Sequence, residues 1–475
     1  MDVLVVNANR CRQPMPVMPF GACLVAEAAE RAGHRVRLLD LMFARDPLGT
    51  LVRELRAHPP RVVGFSVRNI DNNELRTPAT FYEELGPLVE AVRNCTRATV
   101  VLGGAALAVM PEALLRRTTA DYGLVGDGEV LFPRFLAELE AGRKPDGMAG
   151  VLCLKDGALK HVPPGWGPLT GGSPAPDFAR WLDLGRYRSW MSSTPMQSKR
   201  GCPFRCVYCT YARGEGRDYR LYEPESVARA AQALVAQGIE DIEFVDSIFN
   251  SPRDHALAVC RALARAGVRA RFQSLELNPA FLDDELLRAM ERAGFVGIGI
   301  TAESASDAVL AGLGKSYTAE DVRRGAAAVR RHRLSCCWIF MMGGPGETRK
   351  TVEETIRFAE TFIRPQDVAF FNPGLRIYPG TELERIARRQ GVLTVPPEQM
   401  LEPVFYLSPG LDLDWLLGRM ELAARNHLNF ITGDALALPL MQRVLFVSHL
   451  LGLRPPLWKH ARSIRRLLKA LGLYS

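Results

Sequence analysis

Long hydrophobic runs are absent from this sequence. No stretch of about 18 uncharged apolar residues occurs, so no membrane-spanning helix is predicted. The N-terminus reads directly as a β-strand, without the basic segment, apolar stretch and cleavage site of a signal peptide, and the cytoplasm is the expected location. The composition, 47% hydrophobic and 24% charged residues, is typical of a globular chain. A length of 475 residues predicts two or three domains.

The sequence also lacks a strong excess of one charge. Sixty Lys and Arg residues against 52 Asp and Glu residues give a net charge of +8, which is mild for this length. The arginines are dispersed, and no nucleic-acid-binding motif is present. We therefore predict no nucleic-acid partner.

Disulfides are not expected either, because ten cysteines in a reducing compartment indicate metal ligands or buried thiols. Cys202, Cys206 and Cys209 have the spacing C-x3-C-x2-C, and thiolates at such spacing suit zinc or iron–sulfur ligation. No second cysteine pair follows to close a zinc site, although a distant histidine could complete one. Three unlinked cysteines in a loop are a further alternative. Three thiolates on a four-iron cluster would instead leave one iron open. The remaining cysteines are interpreted as small core residues: Cys11, Cys23, Cys95, Cys153, Cys260, Cys336 and Cys337.

An aromatic residue, Tyr208, precedes the last cysteine of the motif. With it the motif resembles the signature of the radical S-adenosylmethionine (radical SAM) enzymes. The resemblance implies a [4Fe-4S] cluster held by Cys202, Cys206 and Cys209, with Tyr208 among the cofactor contacts. In that family the open iron chelates the amino and carboxylate groups of S-adenosyl-L-methionine (SAM), and one electron cleaves SAM to a 5′-deoxyadenosyl radical. An external electron donor of the flavodoxin or ferredoxin type is implied as a partner.

Residues 1–145 alternate apolar strands with amphipathic helices. This pattern predicts a doubly wound, Rossmann-like α/β domain with a parallel sheet. Ligands of such sheets bind beyond the carboxyl ends of the strands. The loops at that edge are residues 7–21, 66–78, 103–111 and 126–129.

Those loops resemble the cobalamin-binding domains that are fused to radical SAM domains. The resemblance lies in Gly103-Gly104, after an apolar strand, and in the run Gly126-Asp127-Gly128-Glu129. Glycines there would let the backbone approach a flat ring or its nucleotide tail. Cobalamin contacts are implied for Ser66, Gly103, Gly104, Gly126, Gly128 and Glu129, with Ser66 facing the buried tail.

The cobalamin motif D-x-H-x-x-G does not follow the first strand. We therefore expect no histidine ligand on the lower face of cobalt, and we expect His34 to face solvent. Arg68 and Asn69, after the third strand, are expected to reach that face. A guanidinium has no lone pair to donate, so Arg68 would discourage a sixth cobalt ligand. The alternative is an ordinary capping loop at the surface.

A Pro- and Gly-rich linker is predicted over residues 146–194, with a hairpin over residues 153–162 turned by Asp156-Gly157. Residues 195–394 then give six predicted strands with five intervening helices. This order predicts a partial (β/α)6, TIM-like barrel as the radical SAM domain. Chemistry in such barrels lies at the C-terminal ends of the strands.

Several residues at those strand ends match the radical SAM family. Asp246 ends the second strand and is expected near the ammonium of SAM, where a carboxylate is a sensible ion-pair partner. Glu303 ends the fourth strand and is expected near the ribose or methionyl group. The Gly343-Gly344 pair after the fifth strand is expected to give backbone room beside the adenine. On the third strand relatives often place an Arg, and here Glu276 and Asn278 are expected to touch SAM or substrate instead.

The C-terminal region, residues 395–475, is predicted to be helical over 415–427, 436–451 and 458–471. The last helix is basic and amphipathic. Packing of its leucine face on the barrel is favoured over contact with a membrane. We expect this region to close the open end of the barrel or to line the substrate cavity.

The two resemblances together imply a cobalamin-dependent radical SAM methyltransferase. It would use methylcobalamin and a 5′-deoxyadenosyl radical to methylate an unactivated centre of a small molecule, of the natural-product class, held between the domains. A non-methylating cyclase, ring-contraction or oxidation enzyme with the same cofactors is the alternative, including one that acts on a lipid. A cofactor-binding sensor without turnover is an alternative of another class.

Overall fold

The computed structural model describes residues 1–169, 173–433 and 440–470. The start of the second predicted C-terminal helix, at 436, and the last residue of the third, at 471, lie outside these ranges. Within them, two seven-stranded sheets dominate the fold. None of the helices in the described ranges is long and apolar enough to cross a bilayer.

The first sheet forms the N-terminal domain. Its strands are β1 (Asp2–Asn7), β2 (Arg35–Asp40), β3 (Val62–Ser66), β4 (Thr99–Gly103), β5 (Tyr122–Leu124), β6 (Val151–Lys155) and β7 (Ala158–His161). The order is β2-β1-β3-β4-β5-β6-β7, with β1 to β5 parallel. The apolar runs of β1, β3 and β4 are typical of parallel strands buried on both faces. The doubly wound prediction is therefore confirmed.

The predicted hairpin over residues 153–162 is present as β6 and β7. Its turn residues Asp156 and Gly157 both have positive φ, 51° and 77°, as a tight hairpin turn requires. The hairpin pairs antiparallel to β5, so a segment that we predicted as linker extends the first sheet.

Helices cover both faces of the first sheet. They are α1 (Phe20–Arg31), α2 (Pro47–Ala57), α3 (Leu85–Cys95), α4 (Ala105–Val109), α5 (Pro111–Thr118) and α6 (Gly128–Glu140). His34, between α1 and β2, is only 7% exposed and contacts the N-terminal amino group of Met1. The expectation that His34 faces solvent is wrong, because the chain terminus covers its ring.

Two short helices, α7 (Phe178–Trp181) and α8 (Leu184–Ser189), lead into the second domain. Its sheet strands are β8 (Thr194–Met196), β11 (Asp241–Phe244), β12 (Arg271–Leu277), β13 (Phe295–Glu303), β14 (Ser335–Met342), β15 (Val368–Pro373) and β18 (Phe430–Thr432). Two small ribbons pair β9 (Lys199–Arg200) with β10 (Arg220–Leu221), and β16 (Leu375–Arg376) with β17 (Phe405–Tyr406).

All neighbours in this sheet are parallel, in the order β18-β15-β14-β13-β12-β11-β8. The six predicted strands are present, and β18 adds a seventh that we did not predict. The helices of this half of the chain are α9 (Tyr211–Glu215), α10 (Pro224–Ala236), α11 (Arg253–Arg265), α12 (Asp284–Ala293), α13 (Asp307–Gly312), α14 (Ala319–Arg330), α15 (Arg349–Phe362), α16 (Glu382–Arg389), α17 (Leu413–Asn426), α18 (Leu440–Leu450) and α19 (Ala461–Ala470).

The two faces of the barrel sheet have different neighbours. Ile298, Ile300 and Phe340 belong to the large core between strands and helices. Alternation along a strand therefore directs Gly297 and Cys337 to the opposite, inner face. Trp458 packs there with Cys337 and the β18 residue Ile431, which closes the end of the barrel as expected of the C-terminal region.

The two domains share a hydrophobic core. Leu107 and Phe65 of the first domain belong to one buried cluster with Val207, Leu313 and Leu375 of the second. Val207 lies between Cys206 and Cys209, so the cysteine loop packs directly into the interface of the domains.

Candidate active site between the two domains

A cavity of about 590 Å³ lies between the two domains. Its first-domain wall is formed by loops at the carboxyl edge of the sheet, and its second-domain wall by residues around the start of the barrel. The cavity is lined by the predicted residues Ser66, Arg68, Asn69, Gly103, Gly104, Gly126, Gly128 and Glu129 on one side, and by Pro195, Gln197, Arg200, Thr210, Tyr211 and Val245 on the other.

The glycine-rich wall suits a large flat ligand. Gly21 also lines the cavity, and a Cβ placed on Gly21 would meet nothing within 4 Å. Gly104 has a φ of +96°, and its Cβ would lie 2.5 Å from the Val67 carbonyl oxygen, so only glycine permits this close backbone approach. Glycines and apolar side chains such as Val5 and Leu24 thus share this wall, which fits the flat corrin ring implied by the sequence.

Arg68 projects from the first-domain wall. The residue is exposed, lines the cavity, and donates a hydrogen bond to Asn69 Oδ1 at 3.2 Å. Its charge lowers the pKa of Glu243 in the barrel, against the larger effect of burial, which raises it. Arg68 therefore lies on the cavity wall that the first domain forms.

The three motif cysteines occupy the loop between β9 and α9. Cys202 is 7% exposed, and burial raises the pKa of its thiol, as does the neighbouring Cys206. Burial, Cys206 and Cys202 likewise raise the pKa of Cys209, to about 11. Close, mutually repelling thiolates need a cationic partner to lose their protons, and iron supplies that charge. The donor set fits a cluster held by three thiolates.

A single-ion site is not evident. In the described ranges, no group of three or more His, Cys, Asp or Glu side chains is arranged around one metal ion.

Asp246 is buried two residues after the end of β11. Its carboxylate accepts hydrogen bonds from the Ser198 N–H at 2.7 Å and the Ser198 hydroxyl at 2.5 Å. Lys199 Nζ lies 3.7 Å from the same carboxylate and donates to the Ile248 carbonyl oxygen. Asp246 therefore fixes the strand that enters the cysteine loop, and its contact with SAM stays a prediction.

Glu303 forms a buried group with Tyr208 and Lys315. Glu303 Oε1 accepts from the Tyr208 hydroxyl at 2.6 Å and from Lys315 Nζ at 2.7 Å. Lys315 also donates to the Tyr208 oxygen at 2.8 Å. Burial lowers the pKa of Lys315, but Glu303 and the other acidic groups around it together outweigh burial and raise the pKa well above its usual value. Glu303 Oε2 is buried without a hydrogen-bond partner, which leaves an acceptor for a ligand.

The glycine pair after β14 is held by Glu347. Glu347 Oε2 accepts from the N–H groups of Gly343 and Gly344, the second at 3.1 Å. Gly343 has a φ of +97°, a conformation that favours glycine, so the backbone already accounts for glycine there. The predicted adenine contact of this pair stays a prediction.

Glu129 makes an ion pair that the sequence did not indicate. Glu129 Oε1 lies 2.5 Å from Arg200 Nη1, and Asp127 Oδ1 lies 2.8 Å from the same atom. Arg220 also pairs with Asp127, with Nη2 3.1 Å from Oδ1. Burial raises the pKa of Asp127, but Arg220 and Arg200 hold it below its usual value. We call Asp127, Glu129, Arg200 and Arg220 the interdomain ion cluster; it joins the first-domain loop to the strand before Cys202.

The comparisons with known proteins agree with this geometry. The radical SAM superfamily model matches residues 196–359, and the B12 binding domain model matches residues 13–136. The chain is a cobalamin-dependent radical SAM enzyme.

Relatives of this radical SAM enzyme include methyltransferases that match most of the chain. An uncharacterized methyltransferase of Pyrococcus horikoshii is 25% identical over 79% of this chain and 79% of its own length. Tryptophan 2-C-methyltransferase of Streptomyces laurentii is 25% identical over 83% of this chain and 76% of its own. These relatives, together with the solved structure described next, show that the enzyme is a methyltransferase.

A solved structure matches over nearly the whole length. The radical SAM methyltransferase TsrM of Kitasatospora setae, with cobalamin and a [4Fe-4S] cluster bound, has a TM-score of 0.85 at 25% identity, covering 99% of both chains. A second structure of that protein holds tryptophan and a SAM analogue. The fold predicted from the sequence and the cofactor set are therefore confirmed, whereas the individual contact residues stay predictions.

Proposed function

We propose that this enzyme methylates a small molecule that binds in the cavity between its two domains. The supporting observation is that the cobalamin-type loops and the residues flanking the cysteine loop line one cavity. Bound cobalamin would supply a methyl-carrying cobalt centre, and the cluster would supply the electron that cleaves SAM. A substrate in this cavity can meet both.

The protein's own residues have distinct roles in this proposal. Cys202, Cys206 and Cys209 hold the cluster, and Arg68 keeps a sixth ligand from cobalt. Tyr208 and Glu303, with Asp246 and the Gly343-Gly344 pair, bind SAM. The shared core around Val207 would limit the access of bulk water to the cysteine loop.

The electron donor and the cellular location are also part of this proposal. The electron required for SAM cleavage would come from a flavodoxin- or ferredoxin-type protein. Such donors and a reduced cluster both require a reducing compartment, and we expect the cytoplasm.

Anaerobic purification with iron, sulfide and cobalamin tests the cofactor part of the proposal. We expect iron and corrinoid in the purified chain, and we expect Cys206→Ala to lose iron and SAM cleavage while it retains the corrinoid. A Cys260→Ala variant is the matched control, because Cys260 is buried in the hydrophobic core away from the cavity. Unchanged SAM cleavage in Cys206→Ala would contradict the cluster assignment.

Methyl-labelled SAM tests the reaction. L-Tryptophan is the first acceptor to try, because it is the ligand in the Kitasatospora structure, followed by indoles and other small aromatic metabolites. Label in the acceptor supports methylation. Production of 5′-deoxyadenosine with an altered but unlabelled acceptor would favour a cyclase or oxidation enzyme instead.

A further inference from the structure

The C-terminal region carries nearly all of the net charge of the chain. Its last 41 residues contain seven Arg and Lys residues and no Asp or Glu, whereas the whole chain has a net charge of +8. The rest of the chain is therefore almost neutral. Charge of one sign that is concentrated in one short segment indicates a partner of the opposite charge.

The same region exposes an apolar helix face. Four large apolar side chains on α18 and at its end are between 50% and 69% exposed: Phe446, Val447, Leu450 and Leu451. Leu450 lies one helical turn after Phe446. Leu451 lies one turn after Val447 and donates its N–H to the Val447 carbonyl oxygen, so the four side chains share one face. Single exposed apolar residues are common, but a contiguous apolar face marks an interaction site.

Exposed cations lie on the next helix. Arg462, Arg466 and Lys469 of α19 are exposed, and none forms an ion pair within the part of the chain that the structure describes. Their neighbour Arg465 points the other way: it is 7% exposed and donates to the Ala424 carbonyl oxygen at 2.8 Å. Helix α19 therefore packs on the barrel through Arg465 and directs its other cations outward.

The apolar face and the cations border one surface. Leu445 of α18 and Leu457 belong to one small buried cluster, and Ile464 of α19 packs against it, so the two helices lie side by side. Packing of the leucine face of α19 is incomplete, because Leu467 is 57% exposed. We call the following residues the C-terminal docking surface: Phe446, Val447, Leu450, Leu451, Arg462, Arg466, Leu467 and Lys469.

This surface is separate from the candidate active site. The segment between the two helices covers strand starts: Arg454 pairs with Asp241 at the start of β11, and Trp458 packs against Gly297 near the start of β13. The predicted SAM contact Glu303 is the last residue of β13, at the other end of the strand. None of the residues of the C-terminal docking surface lines the interdomain cavity.

The composition of the surface selects its occupant. A second copy of the chain would bring the same unpaired cations face to face, which is electrostatically unfavourable. An anionic lipid surface instead attracts such cations, each of which strengthens binding by about fivefold. The boundary between headgroups and acyl chains also accepts Phe, Leu and Val side chains without a shaped pocket.

We propose that the C-terminal docking surface binds the enzyme to an anionic lipid membrane. The apolar side chains of α18 enter the boundary between headgroups and acyl chains, and the cations of α19 contact lipid phosphates. This proposal goes beyond the methyltransferase function and does not depend on it, since docking requires no turnover.

Co-sedimentation of the anaerobically reconstituted enzyme with lipid vesicles tests the proposal. We expect vesicles of phosphatidylglycerol and phosphatidylcholine to bind the enzyme about tenfold more tightly or better than phosphatidylcholine alone, and we expect high salt to remove most of this difference. Arg462→Gln/Arg466→Gln/Lys469→Gln should weaken binding on the order of 100-fold. Phe446→Ser/Leu450→Ser should weaken it by about tenfold or more.

Two control variants match these changes elsewhere on the molecule. Arg229→Gln/Arg288→Gln/Arg357→Gln removes three exposed cations from other helices of the second domain. Leu48→Ser/Val130→Ser removes two exposed apolar side chains from the first domain. Both variants should bind vesicles as the unmodified enzyme does, and normal iron and corrinoid content in every variant shows that it folds.

Three results would overturn the proposal. The first is equal binding to both kinds of vesicle, or binding to neither. The second is an equal loss of binding in the triple arginine control, because the charge of the whole molecule, rather than this surface, would then govern binding. The third is a dimer, measured by light scattering without vesicles, that Phe446→Ser/Leu450→Ser converts to a monomer, because the surface would then belong to a second copy of the chain.

Discussion

Single buried charges decide much of the behaviour of this site. Lys315 is 7% exposed at its side chain and neutralises Glu303, which is 5% exposed. Removing one member of such a pair leaves an uncompensated buried charge. This change lowers the free energy of unfolding more than the removal of both members does.

We therefore expect Lys315→Met to lower the free energy of unfolding by about 3 to 5 kcal/mol. The double variant Lys315→Met/Glu303→Gln should recover a large part of that loss. Denaturant unfolding of the metal-free chain measures both. A single variant as stable as the unmodified chain would mean that water reaches Glu303.

Glu347 makes stability depend on pH. Burial raises its pKa to about 7, although the N–H groups of Gly343 and Gly344 act in the opposite direction. The folded chain therefore keeps a proton that the unfolded chain releases near its ordinary value of 4.5, so the contribution of Glu347 falls as pH rises from about 4.5 to about 7.

Glu347→Gln should remove this decline. Unfolding free energies at about pH 5 and about pH 8 should differ less in the variant than in the unmodified chain, by at most about 3 kcal/mol. Parallel pH profiles for the two chains would contradict the prediction.

The predicted role of Arg68 at cobalt can be tested by the visible absorbance spectrum of the bound corrinoid. In Arg68→Ala we expect water to bind the exposed face of cobalt and to shift the visible absorbance bands of the bound corrinoid. Arg68→Lys should resemble the unmodified enzyme more closely, since its ammonium also has no lone pair to donate. An unchanged spectrum in Arg68→Ala would show that Arg68 does not face cobalt.

At the scale of elements, the interdomain ion cluster connects the start of α6 and the residue before it to β9 and β10. Arg200 lies two residues before Cys202, and its guanidinium contacts both Asp127 and Glu129. Its loss would release the cysteine loop from the cobalamin-type wall without removing any ligand.

We expect Arg200→Ala to reduce turnover by about 100-fold while iron and corrinoid content change little, because small misplacements of reacting groups have effects of this size. Arg143→Ala removes an exposed pair with Glu138 and is the matched control. Loss of bound iron in Arg200→Ala would indicate that Arg200 supports the cluster itself.

The local sequence pattern predicted the alternating strands and helices. It did not predict which distant segments pair with them. Apolar strands alternating with helices were sufficient for both sheets, and Asp156-Gly157 was sufficient for the hairpin. β18 was missed because it has three residues, and its neighbour β15 lies about 60 residues earlier in the chain.

The same difference between local and distant signals applies to the candidate active site. The cysteine spacing and the glycine runs carry a signal within a few residues, so the cluster loop and the cavity wall were predictable. Lys315, Arg200 and Arg220 carry none, because each contacts a carboxylate that lies 12 or more residues away in the chain. The role of Glu129 was predicted from resemblance, and the ion pair with Arg200 became visible only in three dimensions.

At the scale of the whole molecule, the C-terminal region completes the barrel. Trp458 packs against Gly297, where a Cβ would lie 2.8 Å from the indole ring. Arg271 donates to the Pro455 carbonyl oxygen at 2.9 Å, and Arg454 pairs with Asp241 at 3.0 Å. The strand starts on the inner face of the barrel are thus covered by this one segment.

Trp458→Ala should therefore lower the free energy of unfolding by about 3 kcal/mol, the lower part of the range for large aromatic truncations, because Trp458 is only partly buried. Trp458→Phe should lose less. Gly297→Ala should also be destabilising, by about 1 to 3 kcal/mol, through overpacking. Tolerance of both changes would show that the C-terminal region does not close the barrel.

The interdomain ion cluster has a consequence for how small molecules come and go. A hinge motion that separated the two domains would remove the ion-pair partners of four charged side chains in every catalytic cycle. The free-energy cost of such a motion would be large. SAM, acceptor and products should instead enter and leave through movement of loops at the rim of the cavity. The two domains should stay in contact throughout turnover.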